Sequence, residues 1–210
     1  MKTIYFDVCG TLYSTNTTFH FLKFLHSKQK NYLRLTLCLI LMSPIGKILN
    51  KLKILSIRKI MIKSLKGLDK ISTHKIAEIY VDDILPKYEI NNIIRLFNKF
   101  IFDKDNKVIL ISASIDPVIK AIADKYHITY HSSILEVNND KFSGRLSLDL
   151  KGNKKPFFDK KSNSIFYSDN LDDLLCHENV TEYYFINRKN TDIYKYIDLE
   201  KAKNIKEIYV

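Results

Sequence analysis

The sequence predicts an α/β fold: a mostly parallel, doubly wound (Rossmann-like) sheet with an all-α domain inserted into it. Three observations carry this. Short apolar runs stop abruptly at Asp7, at Ser112 and at Asp169, as strands covered on both faces do. From residue 92 onward such runs alternate with helical patterns. Residues 14–68, in contrast, lack strand-turn punctuation, and their apolar residues recur at helical spacing, as in Phe21, Leu22, Leu25 and in Ile54, Ile57, Ile60, Met61. Residues 1–13 and 92–210 are therefore expected to form the core, and residues 14–91 a helical insertion.

The elements follow in order. Ile4, Tyr5 and Phe6 form a first strand that ends in Asp7 and turns at Gly10-Thr11. A carboxylate placed there lies at the carboxyl edge of the sheet, where open α/β sheets bind ligands. Helices fill the insertion from Thr17 to about Leu85, broken near Pro44-Gly46 and at Gly67. An apolar-striped helix over 93–102 leads to a β-branched strand, 108–111, which runs into Ser112-Ala113-Ser114. Asp116-Pro117 then opens a helix to about Tyr126, as cap and first helical residue. A serine beside backbone N–H groups at a helix start makes a corner for phosphate. Residues 134–137 and 145–148 read as a hairpin turning at Asn138-Asn139-Asp140. A helix is expected from Pro156, a strand over 164–168, a further core strand over 181–186 and a last helix over 191–197. Residues 205–210 are read as an edge strand or a frayed end.

A chain of 210 residues is long enough to bury a full core. Cys9, Cys38 and Cys176 are far apart and odd in number, which fits neither a disulfide framework nor a zinc site. A reducing cytoplasm is the expected compartment, and the first residues carry no signal-peptide or lipid-attachment pattern. The six histidines stand singly and are read as surface or core residues.

The net charge of +11 is localised. Residues 14–68 hold eleven Lys and Arg and no Asp or Glu, and the rest of the chain holds 23 of each sign. A field of one sign attracts anions. Lysine dominates and aromatic residues do not alternate with the basic ones, which argues against a nucleic-acid groove. Residues 35–46 are an uncharged run of twelve, too short to span a bilayer. They are expected either to be buried within the insertion or to rest, with basic flanks, against the inner face of an anionic membrane.

The third strand end is the most acidic. Asp169, Asp172 and Asp173 fall within five residues and repel one another unless a cation sits among them. The plain alternative is a helix N-terminus rich in Asp for capping and dipole reasons. A helix starting at about Asn170 turns Asp169 and Asp173 toward one point.

In order and spacing these motifs resemble the haloacid dehalogenase superfamily of phosphohydrolases, in the branch with a helical cap between the first and second motifs. That branch includes phosphoserine phosphatases and phosphatases of phospholipid head groups. The resemblance rests on Phe-Asp-Val-Cys-Gly-Thr from Phe6, Leu-Ile-Ser-Ala-Ser from Leu110, Gly-Asn-Lys-Lys from Gly152 and Tyr-Ser-Asp-Asn-Leu-Asp-Asp from Tyr167. It implies a Mg2+-dependent phosphomonoester hydrolase with Asp7 as nucleophile, forming an aspartyl-phosphate. It implies Mg2+ on Asp7, on the backbone carbonyl of Cys9 and on Asp169, with Asp173 orienting a metal-bound water or fixing the lysine. Ser112, the N–H of Ala113 and Lys155 are the implied holders of the transferring oxygens, with Lys154 as runner-up. Thr11 is implied to brace the loop and join the phosphate site. The substrate class is an anionic small-molecule or lipid-linked phosphate selected by the basic cap.

Cys9 departs from the family pattern, which has Asp there as the acid–base group. Such help is typically worth about 10²–10⁴-fold, and a thiol is a poor proton shuttle. Three readings stay open: a slow phosphatase, an ordinary one using Cys9, a substrate group or water, and a module that binds a phosphorylated ligand or anionic membrane surface with little turnover.

Overall fold

The computed structural model describes residues 1–159, 163–197 and 202–210. Among these, seven strands form one sheet: β1 (Lys2–Phe6), β2 (Asn106–Ile115), β3 (Thr129–Asn138), β4 (Lys141–Leu148), β5 (Ser164–Ser168), β6 (Glu182–Asn187) and β7 (Ile205–Tyr209). Their order is β4-β3-β2-β1-β5-β6-β7, parallel throughout except for the β3–β4 hairpin. Phe6 pairs with Leu110 of β2 on one side and Tyr167 of β5 on the other. The winding direction reverses at β1, so the chain beyond Phe6 enters the crevice at a topological switch point.

Both faces of β1 are covered. Helix α6 (Asn91–Phe102) brings Phe97 edge-on to Phe6 at 5.2 Å, while Tyr167 stacks on Phe6 at 4.6 Å. Tyr5 faces the other way, against Phe158 at 4.8 Å. This is why the run reads as continuously apolar rather than alternating.

The helical insertion leaves and rejoins the core at one place. Ser14 N–H donates to the Tyr88 carbonyl at 2.7 Å, Ile90 N–H to that of Leu12 at 2.9 Å, and Tyr13 bridges Glu89. Between them lie α1 (Thr17–Lys28), α2 (Tyr32–Met42), α3 (Pro44–Lys51), α4 (Ile57–Lys63) and α5 (Lys70–Ile79), followed by single turns to Tyr88. Every one of these five helices has a polar side-chain cap: Asn16, Asn31, Ser43, Ser56 and Asp69 each accept from the N–H three residues on. Such caps are worth about 1 kcal/mol each, and they chop a long apolar-striped stretch into short helices. The break expected near Pro44-Gly46 falls at Ser43, with Pro44 as first helical residue.

Helix α7 (Asp116–Tyr126) has the expected extent but not the expected cap. Ile115 occupies that position, and the Asp116 carboxylate instead accepts the Leu135 N–H of β3 at 2.9 Å. The helices expected from Pro156 and over 191–197 are only 3-10 turns, Lys155–Phe157 and Ile193–Lys195. In the second, Asn187 exchanges two hydrogen bonds with the Thr191 backbone and Asp192 caps Tyr194, which uses up the local donors in a tight turn. The residues after Asp169 likewise coil as a 3-10 helix, Leu171–Asn179.

Candidate active site

Asp7 is the first residue past β1, and its own N–H still bonds to the Tyr167 carbonyl at 2.9 Å. The residue is 4% exposed. The Val8 N–H donates to Oδ1 at 2.7 Å, and Lys154 Nζ lies 3.0 Å from Oδ2. The same ammonium is 2.7 Å from Asp173 Oδ2, which also accepts from Ser168 Oγ at 2.7 Å. Burial pushes the Asp7 carboxyl above the usual carboxylate range, with the Lys154 ammonium working against it. Burial also opposes the charge on Lys154, yet the two carboxylates hold its pKa above that of an ordinary lysine.

This corrects the lysine register. Lys155, the expected phosphate ligand, points away and pairs with Glu178 at 3.0 Å near the surface. Lys154, 2% exposed, is the residue at the sheet edge. Gly152 turns the chain with φ 71°, and the 3-10 turn begins at the next lysine, so the two side chains leave on opposite sides.

Two further expectations change. Asp173 is buried and bound to Lys154 and Ser168 rather than set beside Asp169, so its carboxylate is engaged in fixing the lysine. Thr11 is fully buried: its hydroxyl donates to Asp169 Oδ1 at 3.3 Å and accepts the Asp169 N–H at 3.0 Å. It braces the loop, with its hydroxyl spent on Asp169. The bracing brings Asp169 so close over Gly10 (φ 79°) that any Cβ at that position would collide with its carboxylate. Burial and the charge of Asp7 push Asp169 up to about 6. Among the described residues no three His, Cys, Asp or Glu side chains converge on one point. A cation here would therefore have two carboxylates, Asp7 and Asp169, and backbone oxygen.

Ser112, Ala113 and Ser114 end β2 beside this edge, and Ser114 N–H donates to Ser112 Oγ at 3.3 Å. Ser112 lines the same cavity as Asp7. The insertion holds this loop at two points. Arg58 of α4 donates from Nη2 to the Ala113 carbonyl at 2.8 Å, to Ser133 Oγ at 3.1 Å and to Asp149 Oδ1 at 2.8 Å, with Nε 3.4 Å from Asp149 Oδ2. Thr17 and Thr18, at the start of α1, both lie 2.8 Å from Ser114 Oγ.

Cys9 joins the second of these contacts. Its sulfur is 3.0 Å from Thr17 Oγ1 and accepts the Thr17 N–H at 3.4 Å. Thr17 also reaches Ser114 with its hydroxyl, so Cys9, Thr17 and Ser114 form one hydrogen-bonded row. Burial and the nearby Asp7 push the Cys9 pKa up, so the proton stays on sulfur. Sequence reasoning found Asp7, Cys9, Ser112, Ala113 and Asp169, which all line one cavity of 1230 Å³. It missed Arg58, Thr17, Ser114 and Ser168. The lining of the cavity is predominantly cationic away from Asp7 and Asp169, with Lys59 and Lys63 from α4 and Arg145, Lys151, Arg188 and Lys189 from the core, against Asp149 and Asp172.

The family model described as haloacid dehalogenase-like hydrolase matches residues 4–178. No curated protein sequence matches the chain. Among solved structures, a protein of unknown function from Bordetella pertussis Tohama I superposes with a TM-score of 0.75 at 15% identity, covering 97% of both chains. A phosphoserine phosphatase in apo form gives 0.55 at 16% identity over 97% of this chain and 92% of its own. Cytosolic 5'-nucleotidase IIIB bound to cytidine gives 0.61 at 10% identity over 98% and 79%. At such identities the structural likeness speaks for the fold.

Proposed function

The chain belongs to the haloacid dehalogenase-like hydrolase family, and from that premise we propose that it is a phosphomonoester hydrolase acting through an aspartyl-phosphate on Asp7. The observation that carries this reading is the buried Asp7–Lys154–Asp173 chain at the carboxyl edge of β1, open to the cavity beside Ser112. A carboxylate oxygen of Asp7 attacks phosphorus while the ester P–O bond breaks and the leaving oxygen takes up a proton. Water then attacks the phosphorus of the acyl phosphate, returning free Asp7 and inorganic phosphate. Lys154 and the hydroxyl of Ser112 meet the transferring oxygens, and the N–H of Ala113 joins them. Lys154 is held ready by Asp173, and Thr11 holds Asp169.

The donor set fits Mg2+: Asp7, Asp169 and the Cys9 carbonyl are hard oxygen ligands, and two carboxylates pressed together by burial favour a cation between them. When bound, Mg2+ would offset the repulsion between an anionic nucleophile and an anionic phosphate. Residues 14–91 act in this reading as the cap. The predominantly cationic lining it shares with the core suits an anionic small molecule or a lipid-linked phosphate.

The state of Cys9 supports slow turnover. Its sulfur is hydrogen-bonded to Thr17, and burial keeps it from serving as a base. The same observation favours a second reading, a module that binds a phosphorylated ligand with little hydrolysis. Phosphate release from a panel of phosphomonoesters with Mg2+ separates the two. Wild type is expected to release phosphate slowly and Asp7→Asn not at all. Release that persists in Asp7→Asn would falsify the nucleophile assignment. An inert wild type made active by Cys9→Asp would establish the binding module instead.

A further inference from the structure

We propose that the elbow formed by α2 and α3 is a docking surface for an anionic phospholipid bilayer. The inference goes beyond the hydrolytic reading and does not depend on it. Helix α2 is apolar almost all round, with Arg34 its one charged residue, yet it buries only Cys38 and Leu41 fully. Tyr32, Leu33, Leu37, Leu39 and Ile40 stand in solvent, Leu33 at 84% exposure. Ile45, Ile48, Leu52 and Ile54 continue the exposed surface along α3 and the loop after it. A helix apolar on every side ordinarily has every side covered. Contiguous exposed apolar surface marks an interaction site. Elsewhere in the described residues, large exposed apolar side chains are scattered along the chain.

The charge around the elbow selects the occupant. Lys28, Lys30, Lys47, Lys51 and Lys53 are exposed at its margins, and none has a carboxylate partner among the described residues. No acidic residue lies between residues 14 and 68. A second copy docked face to face would therefore set two wholly cationic segments against each other. An anionic bilayer answers both features, taking aliphatic side chains into its interface and lysines to its head groups. The helices are suited to lying in that interface rather than crossing it. No single helix of the described residues is long and apolar enough to span a membrane; α2 and α3 reach that length and composition only as a pair, and they meet at a bend of 64°, which suits a segment lying along the interface. Asn50 of α3 lines the cavity, so docking at the elbow brings the cavity mouth toward the head groups.

The test is co-sedimentation of the full chain with vesicles of phosphatidylcholine alone and of phosphatidylcholine mixed with phosphatidylglycerol. Wild type is expected to sediment with the mixed vesicles at low salt, and to be released by high salt, which screens the lysines. The triple variant Leu33→Gln, Ile40→Gln, Ile48→Gln keeps every charge, so its loss of binding reads insertion alone. That loss is expected to exceed about tenfold. The substituted side chains are exposed, and an unchanged circular dichroism spectrum verifies the fold. Failure of wild type to bind mixed vesicles at low salt overturns the proposal, as does a triple variant that binds as wild type does. A wild type that is a stable dimer, or that carries a tightly held acidic protein, and that becomes monomeric and free in the triple variant overturns it in favour of that partner. Vesicle binding is read without any phosphatase assay, so it stands or falls separately from the proposed hydrolysis.

Discussion

The sheet edge at Asp7 and the elbow of α2 and α3 depart from ordinary burial in opposite directions. At the edge, charged groups are taken out of water and largely matched: Lys154 sits between Asp7 and Asp173, Ser168 completes the second carboxylate, and Asp169 is held by the Thr11 hydroxyl rather than by a cation. At the elbow, aliphatic side chains are left in water and nothing among the described residues covers them. Charged residues are almost never fully buried unless paired, and large apolar patches are rarely left open. One region thus meets most of its buried charge from within the chain. The other is incomplete and looks outward.

The largest expected effect tests the matching at the edge. Lys154→Met leaves two carboxylates facing each other without a cation, so it should cost about 3–5 kcal/mol in urea denaturation and abolish phosphate release. Lys155→Met should stay within about 0.5 kcal/mol of wild type. Equal losses in the two variants would sink the assignment of Lys154. Next, Cys9→Asp should raise the rate of phosphate release by about 10²–10⁴-fold, measured at saturating substrate. No gain would mean that Cys9 is not what limits turnover.

The third test is pH. Asp116 and Asp169 are both pushed up by burial to about 6, above the unfolded value of about 3.9. Between these values the folded protein binds more protons than the unfolded chain, so stability falls as pH rises from about 4 to about 6 and levels off above. Each group contributes about 2–3 kcal/mol to that fall. Asp116→Asn should remove about half of it in metal-free protein, and an unchanged slope would contradict the assignment. A smaller effect is expected where helix α4 meets the sheet edge. Arg58→Lys keeps the charge but not the fork that reaches Ala113, Ser133 and Asp149 together. It should lower kcat about tenfold with little change in thermal stability. The smallest belongs to the elbow, where Leu33→Gln should move stability by no more than about 0.5 kcal/mol, whereas Leu22→Ala in the adjoining core should cost about 2–5 kcal/mol.

The two regions were also unequally legible in the sequence. Asp7, Ser112 and Asp169 each end an apolar run, and a strand that stops at a polar residue announces its own sheet edge. Lys154 and Lys155 are neighbours of the same type, and only the 3-10 turn decides which faces inward. Arg58 and Thr17 act on Ala113 and Ser114 across 55 and 97 residues, and nothing in their own neighbourhoods marks them out. The uncharged run over 35–46 was open to burial or to a membrane, and the structure divides it: Cys38 and Leu41 go inward while Leu37, Leu39 and Ile40 do not. Periodicity cannot foresee that division when both faces of a helix are apolar.

The paired backbone at Leu12, Ser14, Tyr88 and Ile90 bears on how such a molecule changes over time. The helical segment starts and finishes at adjacent points, so the core feels it as a single loop whose closure cost grows only slowly with length. Helices can be added, lost or exchanged there without moving Asp7 or the strands beside it. The chemistry and the choice of where and on what to use it can thus be revised separately, so long as a replacement segment keeps the hold that Arg58, Thr17 and Thr18 have on Ala113 and Ser114.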